Sequence, residues 1–467
     1  MSTVYNLTEG SIFKKLFNIA LPVLLTSISQ MAYNLTDMFW IGRVDSIGIN
    51  ESEAISAIGT AGMLVWFSFG LIIISKIGTG VKISHAVGHN NAKEIHLYAS
   101  NGLILQLVIG VLFSALVFIF KAQIISLFNI QSAQVTAYAI QYLSIVGGLI
   151  VFQFISNGFA AINEGLGKTK TNFQIMLIGL ALNIILDPLF ILVFKMGVVG
   201  AATATVISQA VTMIAFIIYY FKNNRKIHAI SFKAFDLGAF GDIIQVGLPA
   251  GIQSLLFTSI SIYIARMVYV YGFEVVTAQR IGTQIEQFTW MIAGGFQTAL
   301  TVFVGQNFGA KQFDRIKKGI GMISLLLIPY ALLVTVLLYF APAFLYKIFI
   351  DDPIATAYGV RYLKIISASQ VFMMLEAIGF GFFNGVGKTI VPSISGIFFN
   401  LLRIPLAIFL TKTLAEEGIW WAVNISTFLK GMVMVFGTLI LMKVVHKIRN
   451  KQMVPIDPEL YEEVLAI

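Results

Sequence analysis

Apolar residues occur along the chain in runs of about twenty or more, divided by short polar gaps that hold most of the charge. A helix needs roughly 20 residues to cross about 30 Å of hydrocarbon. The pattern therefore predicts membrane-spanning helices near 16–41, 54–80, 96–120, 135–160, 170–194, 197–221, 243–268, 276–304, 317–340, 358–383, 391–411 and 419–443. The stretch 170–221 is too long for one span, and Lys195, Met196 and Gly197 mark where it divides. Short barrel strands are excluded, because the runs are about twice the length such a strand needs.

The gaps predict an orientation. With the N-terminus in the cytoplasm, the inward segments hold nineteen Lys and Arg residues. The outward loops and their flanks hold six: Arg43, Lys121, Lys195, Lys347, Arg361 and Lys412. That asymmetry is the positive-inside pattern, and twelve spans return both termini to the cytoplasm. Outward loops also carry Glu51, Glu53, Asp351, Asp352, Glu416 and Glu417. The longest internal connection, Lys222 to Asp242, is basic and reads as a linker. The expected organisation is an N-terminal six-helix bundle (1–221), a basic cytoplasmic linker (222–242), a C-terminal six-helix bundle (243–443) and a cytoplasmic tail (444–467).

The two halves echo each other. Leu16-Phe-Asn-Ile-Ala-Leu-Pro22 matches Ile243-Ile-Gln-Val-Gly-Leu-Pro249, and Val87-Gly-His-Asn-Asn-Ala-Lys93 matches Val304-Gly-Gln-Asn-Phe-Gly-Ala-Lys311. Asn163-Glu-Gly-Leu-Gly-Lys-Thr169 matches Phe383-Asn-Gly-Val-Gly-Lys-Thr389. Three matches in one order at nearly one offset indicate an internal repeat. Six spans separate each pair, so the copies share an orientation. This is a parallel repeat, a transporter plan with the substrate path between the halves. The Gly-Lys pairs lack the spacer of a phosphate loop and fall where a span meets the inner surface, so they read as helix ends.

Composition narrows the class. The 467 residues are 58% hydrophobic and 11% charged, where a soluble domain carries about 25% charged residues; mean hydropathy is +0.86. A soluble enzyme is excluded, no catalytic constellation is present, and no cofactor is expected. The net charge of +9 lies between apolar runs, so it points to membrane lipids and topology rather than to nucleic acid. There is no Cys, hence no disulfide framework. His85 and His89 form at most a weak pair near the inner surface. The first span is expected to act as an uncleaved insertion signal in the cell's inner (plasma) membrane, and the protein is expected to be a monomer.

Ionisable groups inside spans mark functional sites. Asp37 lies about 21 residues into span one, which at 1.5 Å per residue is about 30 Å along the axis, in the outer part of the membrane. Asn34 is on nearly the same face. Asp187 sits at overlapping depth in span five, one turn after Asn183 and just before Pro188, whose ring kinks the helix and frees carbonyl oxygens. Thr203 and Thr205 reach similar depth in span six. Carboxylates with neutral oxygens suit a sodium ion, and a carboxylate in a dry cavity can also carry a proton. Further polar cavity candidates are Asn157, Gln253, Gln284, Glu286 and Glu376. Arg280 is a possible partner for Glu286, and Arg403 for Glu376. Tyr33, Phe154 and Trp290 stand beside polar residues and are candidates for stacking on a flat organic cation.

The segment Tyr33-Asn-Leu-Thr-Asp37-Met-Phe-Trp-Ile-Gly42 resembles the first-helix signature of the multidrug and toxic compound extrusion (MATE) transporters. The Val87, Asn163, Val304 and Asn384 segments resemble that family at the expected places, as does Asn183-Ile-Ile-Leu-Asp187-Pro188. The resemblance implies an all-α polytopic protein of twelve transmembrane helices, two parallel-repeat six-helix bundles around a central V-shaped cavity. It implies export of organic, often cationic compounds, driven by inward movement of H+ or Na+. The closest likeness is to the DNA-damage-inducible branch. There the coupling site falls on the positions of Asp37, Asn183 and Asp187, with Thr205 as the sixth-helix partner; these residues would also be the Na+ ligands if sodium is the coupling ion. Two alternatives stand beside antiport: a lipid-linked saccharide or lipid flippase, and a non-transporting membrane protein.

Overall fold

The computed structural model describes residues 5–128, 130, 132–223, 234–350 and 352–451, without the side chains of Asn34 and 443–451. Residues 224–233 of the expected linker, most of the expected tail (452–467) and Asp351 lie outside the described residues. The rest is helical, with no strand among the described residues. The helices are α1 (Ile12–Ile41), α2 (Glu51–Gly88), α3 (Ala92–Ser126), α4 (Ala133–Val146), α5 (Val151–Gly165), α6 (Thr169–Pro188), α7 (Gly197–Asn223) and α8 (Leu237–Tyr269). They continue as α9 (Phe273–Gly309), α10 (Phe313–Phe340), α11 (Pro342–Lys347), α12 (Pro353–Ser367), α13 (Gln370–Gly385), α14 (Ile390–Leu414) and α15 (Glu417–Lys451).

Ten of these are long and apolar enough to cross a membrane singly, α6 running on through a π-helical turn at Leu189–Val193. The pairs α4–α5 and α12–α13 bring the total to twelve, bent by 46° and 50° respectively. The expected spans 135–160 and 358–383 are thus each broken near the middle. Gly147 and Gly148 occupy the first break, and glycine is a poor helix former. At the second, Ser367 and Ser369 donate their hydroxyls to the carbonyls of Lys364 and Ile366, at 2.7 and 3.1 Å. Such back-bonding competes with regular helix. The expected division of 170–221 appears at Lys195 and Gly197, both at positive φ.

Large apolar side chains remain on the surface of the spans, among them Leu112, Ile119, Leu325, Leu333 and Phe409. A soluble fold would bury these, and hydrocarbon accepts them.

The chain packs as two compact units. One holds Leu21–Leu255 with the described residues before Leu7; the other holds Leu7–Ala20 with the described residues from Leu256 on. In the first unit an apolar cluster around Ile41, Val117, Leu143 and Val206 packs α1–α4 and α7. A second, around Ile83, Leu103, Phe159 and Phe216, packs α2, α3, α5 and α7. The start of α8 is fixed to the same unit. Asp236 Oδ1 accepts from the Ala239 N–H at 2.7 Å. Asn101 donates to the Ala234 carbonyl and accepts from the Asp236 N–H, both at 2.9 Å. Asp242 pairs with Lys82 at 3.1 Å and accepts from the Tyr98 hydroxyl at 2.7 Å. In the second unit the core gathers around Ile264, Tyr346, Tyr362 and Trp420.

The repeat seen in the sequence extends to backbone detail. After α2, Asn90 takes φ 57°, and after α9, Lys311 takes φ 56°. Around them the same bonds close both turns: Asn91 N–H to Ala86 O at 2.9 Å, and Gln312 N–H to Asn307 O at 2.8 Å. The Gly-Lys motifs match as closely. Gly167 and Gly387 have φ 76° and 81°, a left-handed conformation in which glycine carries no steric penalty. Lys168 and Lys388 donate their N–H to Asn163 and Phe383 at 2.7 and 2.9 Å. These motifs are helix C-terminal turns.

Candidate functional site

Four elements of the first unit bring polar side chains to one place. α1 carries Tyr33 and Asp37 one turn apart, and α6 carries Asn183 and Asp187 with the same spacing, so each pair shares a helix face. α7 supplies Thr205 and α4 supplies Tyr142. Helices α6 and α7 approach closely because Gly179 has no side chain; a Cβ there would collide with Thr212 Oγ1. At the end of α6, Pro188 has no N–H, which leaves the Ile184 carbonyl without its usual partner. The helix then widens into the π turn, where the Phe194 N–H bonds to Leu189 O at 2.9 Å.

Asn183 Nδ2 donates to Asp187 Oδ1 at 3.0 Å, and both residues are fully buried. The Asp37 carboxyl faces this pair. Four oxygens here are buried without a hydrogen-bond partner: Asp37 Oδ1, Asn183 Oδ1, Asp187 Oδ2 and Thr205 Oγ1. Neither aspartate forms an ion pair with a described Lys, Arg or His. Tyr33 donates its hydroxyl to the Thr205 carbonyl at 3.4 Å, and Tyr142 stands beside Asp37, Asp187 and Thr205. Sequence reasoning passed over Tyr142; its signal was a tyrosine in the body of span four. Thr203, by contrast, bonds its own helix at the Val199 carbonyl, 2.7 Å away. The Asn34 side chain lies outside the described residues.

The other candidates do not join this cluster. Asn157 donates to the Gln153 carbonyl of its own helix at 2.9 Å, and Gln253 is half-buried in α8. Phe154 is completely enclosed in a core with Ile72 and Ile150, its ring 6.2 Å from that of Phe113, so it serves packing. Gln284, Glu286, Trp290 and Glu376 belong to the second unit. Glu286 accepts from the Tyr362 hydroxyl at 2.6 Å rather than pairing with Arg280. Trp290 is exposed and faces Glu286, while Gln284 is exposed.

Glu376 pairs not with Arg403 but with Lys430 of α15, at 3.0 Å. Arg403 donates instead to Ser426 Oγ at 2.7 Å and Thr427 Oγ1 at 3.5 Å. Lys430 was legible as a basic residue deep in the last span.

With this geometry in view, the family comparison is decisive. The chain matches the family described as MatE over residues 22–189 and again over 249–409, once in each half. It belongs to the MatE family. The protein is therefore a membrane transporter and not an enzyme. It is similar to the probable multidrug resistance protein YpnP of Bacillus subtilis (strain 168), 26% identical over 424 residues that cover 90% of this chain and 94% of that protein. It is also 26% identical over 459 residues to the multidrug export protein MepA of Staphylococcus haemolyticus (strain JCSC1435), covering 95% of each. A solved structure described as the outward-facing conformation of a multidrug resistance MATE family transporter shares the fold, with a TM-score of 0.87. That structure is 21% identical and covers 96% of this chain and 99% of its own.

Proposed function

We propose that this MatE transporter exports organic, cationic compounds from the cell in exchange for a proton or sodium ion taken up at Asp37, Asn183, Asp187 and Thr205. The observation that supports this most is the convergence of four unpartnered buried oxygens, two of them from carboxylates with no basic partner. Leaving such groups bare inside a membrane is costly. A cation repays that cost: one proton shared between the carboxylates, or one sodium ion among the four oxygens, which suit a hard cation. The ion is cargo, released on the side of low concentration. Export follows if ion and drug each disfavour the other's bound state by a finite coupling free energy.

The names of the relatives support the substrate class, and the Asn-x-x-x-Asp spacing of α6 supports the DNA-damage-inducible branch. Trp290, exposed beside Glu286, is the aromatic best placed to meet an organic cation. The excess of Lys and Arg on one set of loops supports a plasma-membrane protein with cytoplasmic termini, its exposed apolar faces against lipid.

The test uses purified protein in vesicles loaded with a fluorescent organic cation and challenged separately with proton and sodium gradients. One gradient is expected to drive transport, and Asp37→Asn to abolish it. Full ion-driven efflux by Asp37→Asn at normal protein levels refutes the assignment.

A further inference from the structure

The second unit treats its buried charge differently. Glu376, on α13, is 8% exposed, and Lys430, on α15, is 3% exposed; their charged atoms are 3.0 Å apart. Glu376 Oε2 is buried without a partner, so the carboxylate keeps one oxygen on Lys430 and one bare. Arg403 of α14 is buried next to them, held by Ser426 and Thr427 and lying over the Phe257 ring at 5.8 Å. Thr427 and Lys430 are three residues apart and so share a face of α15.

The internal repeat gives these residues meaning. Along α6 and α14 the repeat is marked by Gly179 and Gly396, Asn183 and Asn400, and Pro188 and Pro405, all at an offset of 217 residues. That offset places Asn400 at the position of Asn183 and Ile404 at the position of Asp187. The offset that relates Pro22 to Pro249 likewise runs along α1 and α8 and places Ile264 at the position of Asp37. Ile264 is packed in the apolar core. Both coupling carboxylates are thus absent from the second half, where the amide is kept as buried Asn400 and Arg403 follows three residues later. Of the acids on the spans of this unit, Glu286 accepts from the Tyr362 hydroxyl at 2.6 Å, and Glu376 comes with an ammonium attached to the chain.

We propose that Lys430 is a built-in cation: its ammonium holds at Glu376 the position that a mobile ion takes at Asp37 and Asp187, so that this carboxylate is closed to coupling ions. The Glu376–Lys430 pair then keeps a constant charge while substrate and ion exchange. This rests on the reading of Asp37 and Asp187 as the ion site. Breaking a buried pair by removing one partner leaves an uncompensated charge, which must then be neutralised from solution.

The test measures thermal unfolding of purified full-length protein carrying Asp37→Asn and Asp187→Asn, so that the first site is silent. With Glu376 and Lys430 intact, Tm is expected to move by less than about 1 °C when Na+ is added or the pH lowered. Adding Lys430→Met is expected to introduce a Na+- or acid-dependent rise of about 5 °C, and adding Glu376→Gln as well to abolish it. The charged and titratable groups around Glu376 are Arg403 on α14 and, further off, Glu286 on α9 with Tyr362 on α12. All are common to the compared variants, so the difference isolates Glu376. A Na+-dependent rise that is present with Lys430 in place and lost in Glu376→Gln overturns the proposal. So does a folded Lys430→Met protein whose response equals that of the double variant.

If Lys430→Met does not fold under any condition, Glu376→Gln/Lys430→Met in otherwise unaltered protein decides. Ion-driven efflux with unchanged ion dependence supports the proposal, and a shift in apparent ion affinity of more than about threefold, roughly 0.65 kcal/mol, overturns it. Failure of the first-unit reading shows separately, as ion-driven efflux that survives Asp37→Asn.

Discussion

Replacing Asp187 by Asn separates charge from shape at the first-unit site. The amide has the same volume and still offers an oxygen to Asn183 Nδ2, which now bonds Asp187 Oδ1 at 3.0 Å. What disappears is one of two negative charges near the ion. Two unit charges about 4 Å apart interact by about 4 kcal/mol at an effective dielectric constant of about 20. If the amide dipole restores half of that, about 2 kcal/mol is lost, which is about a 30-fold weaker ion affinity. The assay is efflux of a fluorescent cation from vesicles against a titrated ion gradient, at matched protein levels. The concentration of ion giving half-maximal rate is expected to rise about 30-fold. In the ion-free state the sign reverses: removing one of two facing carboxylates relieves repulsion, so Tm is expected to rise. A change in ion requirement of twofold or less, with an unaltered Tm, refutes the electrostatic reasoning.

Other consequences are open to direct measurement. Thr205→Val removes one unpartnered oxygen but no charge, so it is expected to weaken ion affinity by about tenfold or less, clearly less than Asp187→Asn, in the same titration. Ala415, at the end of α14, has φ 48°; Ala415→Gly removes a Cβ from an unfavourable region and is expected to stabilise the protein by about 1 kcal/mol, read as a small rise in Tm. Arg315 donates to the carbonyls of Leu7, Glu9 and Gly10 at 2.8–3.0 Å. Arg315→Ala is expected to release the segment before α1, seen as faster proteolysis there with α10 still protected.

Much of the fold was legible because the bilayer imposes one length on every crossing. Hydropathy therefore located the spans, and the split at Lys195–Gly197 followed from length alone. The bends inside 135–160 and 358–383 were not legible, because Gly147, Gly148, Ser367 and Ser369 change backbone bonding without lowering mean hydropathy. Helix depth brought Asp37, Asn183, Asp187 and Thr205 into one layer on paper, and the structure brings their side chains together. Tyr142 and Lys430 were missed for a related reason. Each lies in an otherwise apolar span, where a count of hydrophobic residues absorbs it, and only the packing of α4 on α7 and of α15 on α13 shows what it touches. The partner of Glu376 was misassigned because helix spacing gives the face a residue occupies, not which of two cations on neighbouring helices reaches it.

The paired turns after α2 and α9 bear on how the chain reaches the bilayer. Each is closed by bonds between residues five or fewer positions apart, and Asn91 adds its own side chain as a cap for α3. Contacts of such low sequence separation form early and need nothing from the rest of the molecule. The α2–α3 hairpin is thus able to close as soon as its two arms have left the ribosome, and α9–α10 does the same later in synthesis. A duplicated chain built on such hairpins is assembled in the membrane by one local rule applied twice, before any long-range contact has to be found.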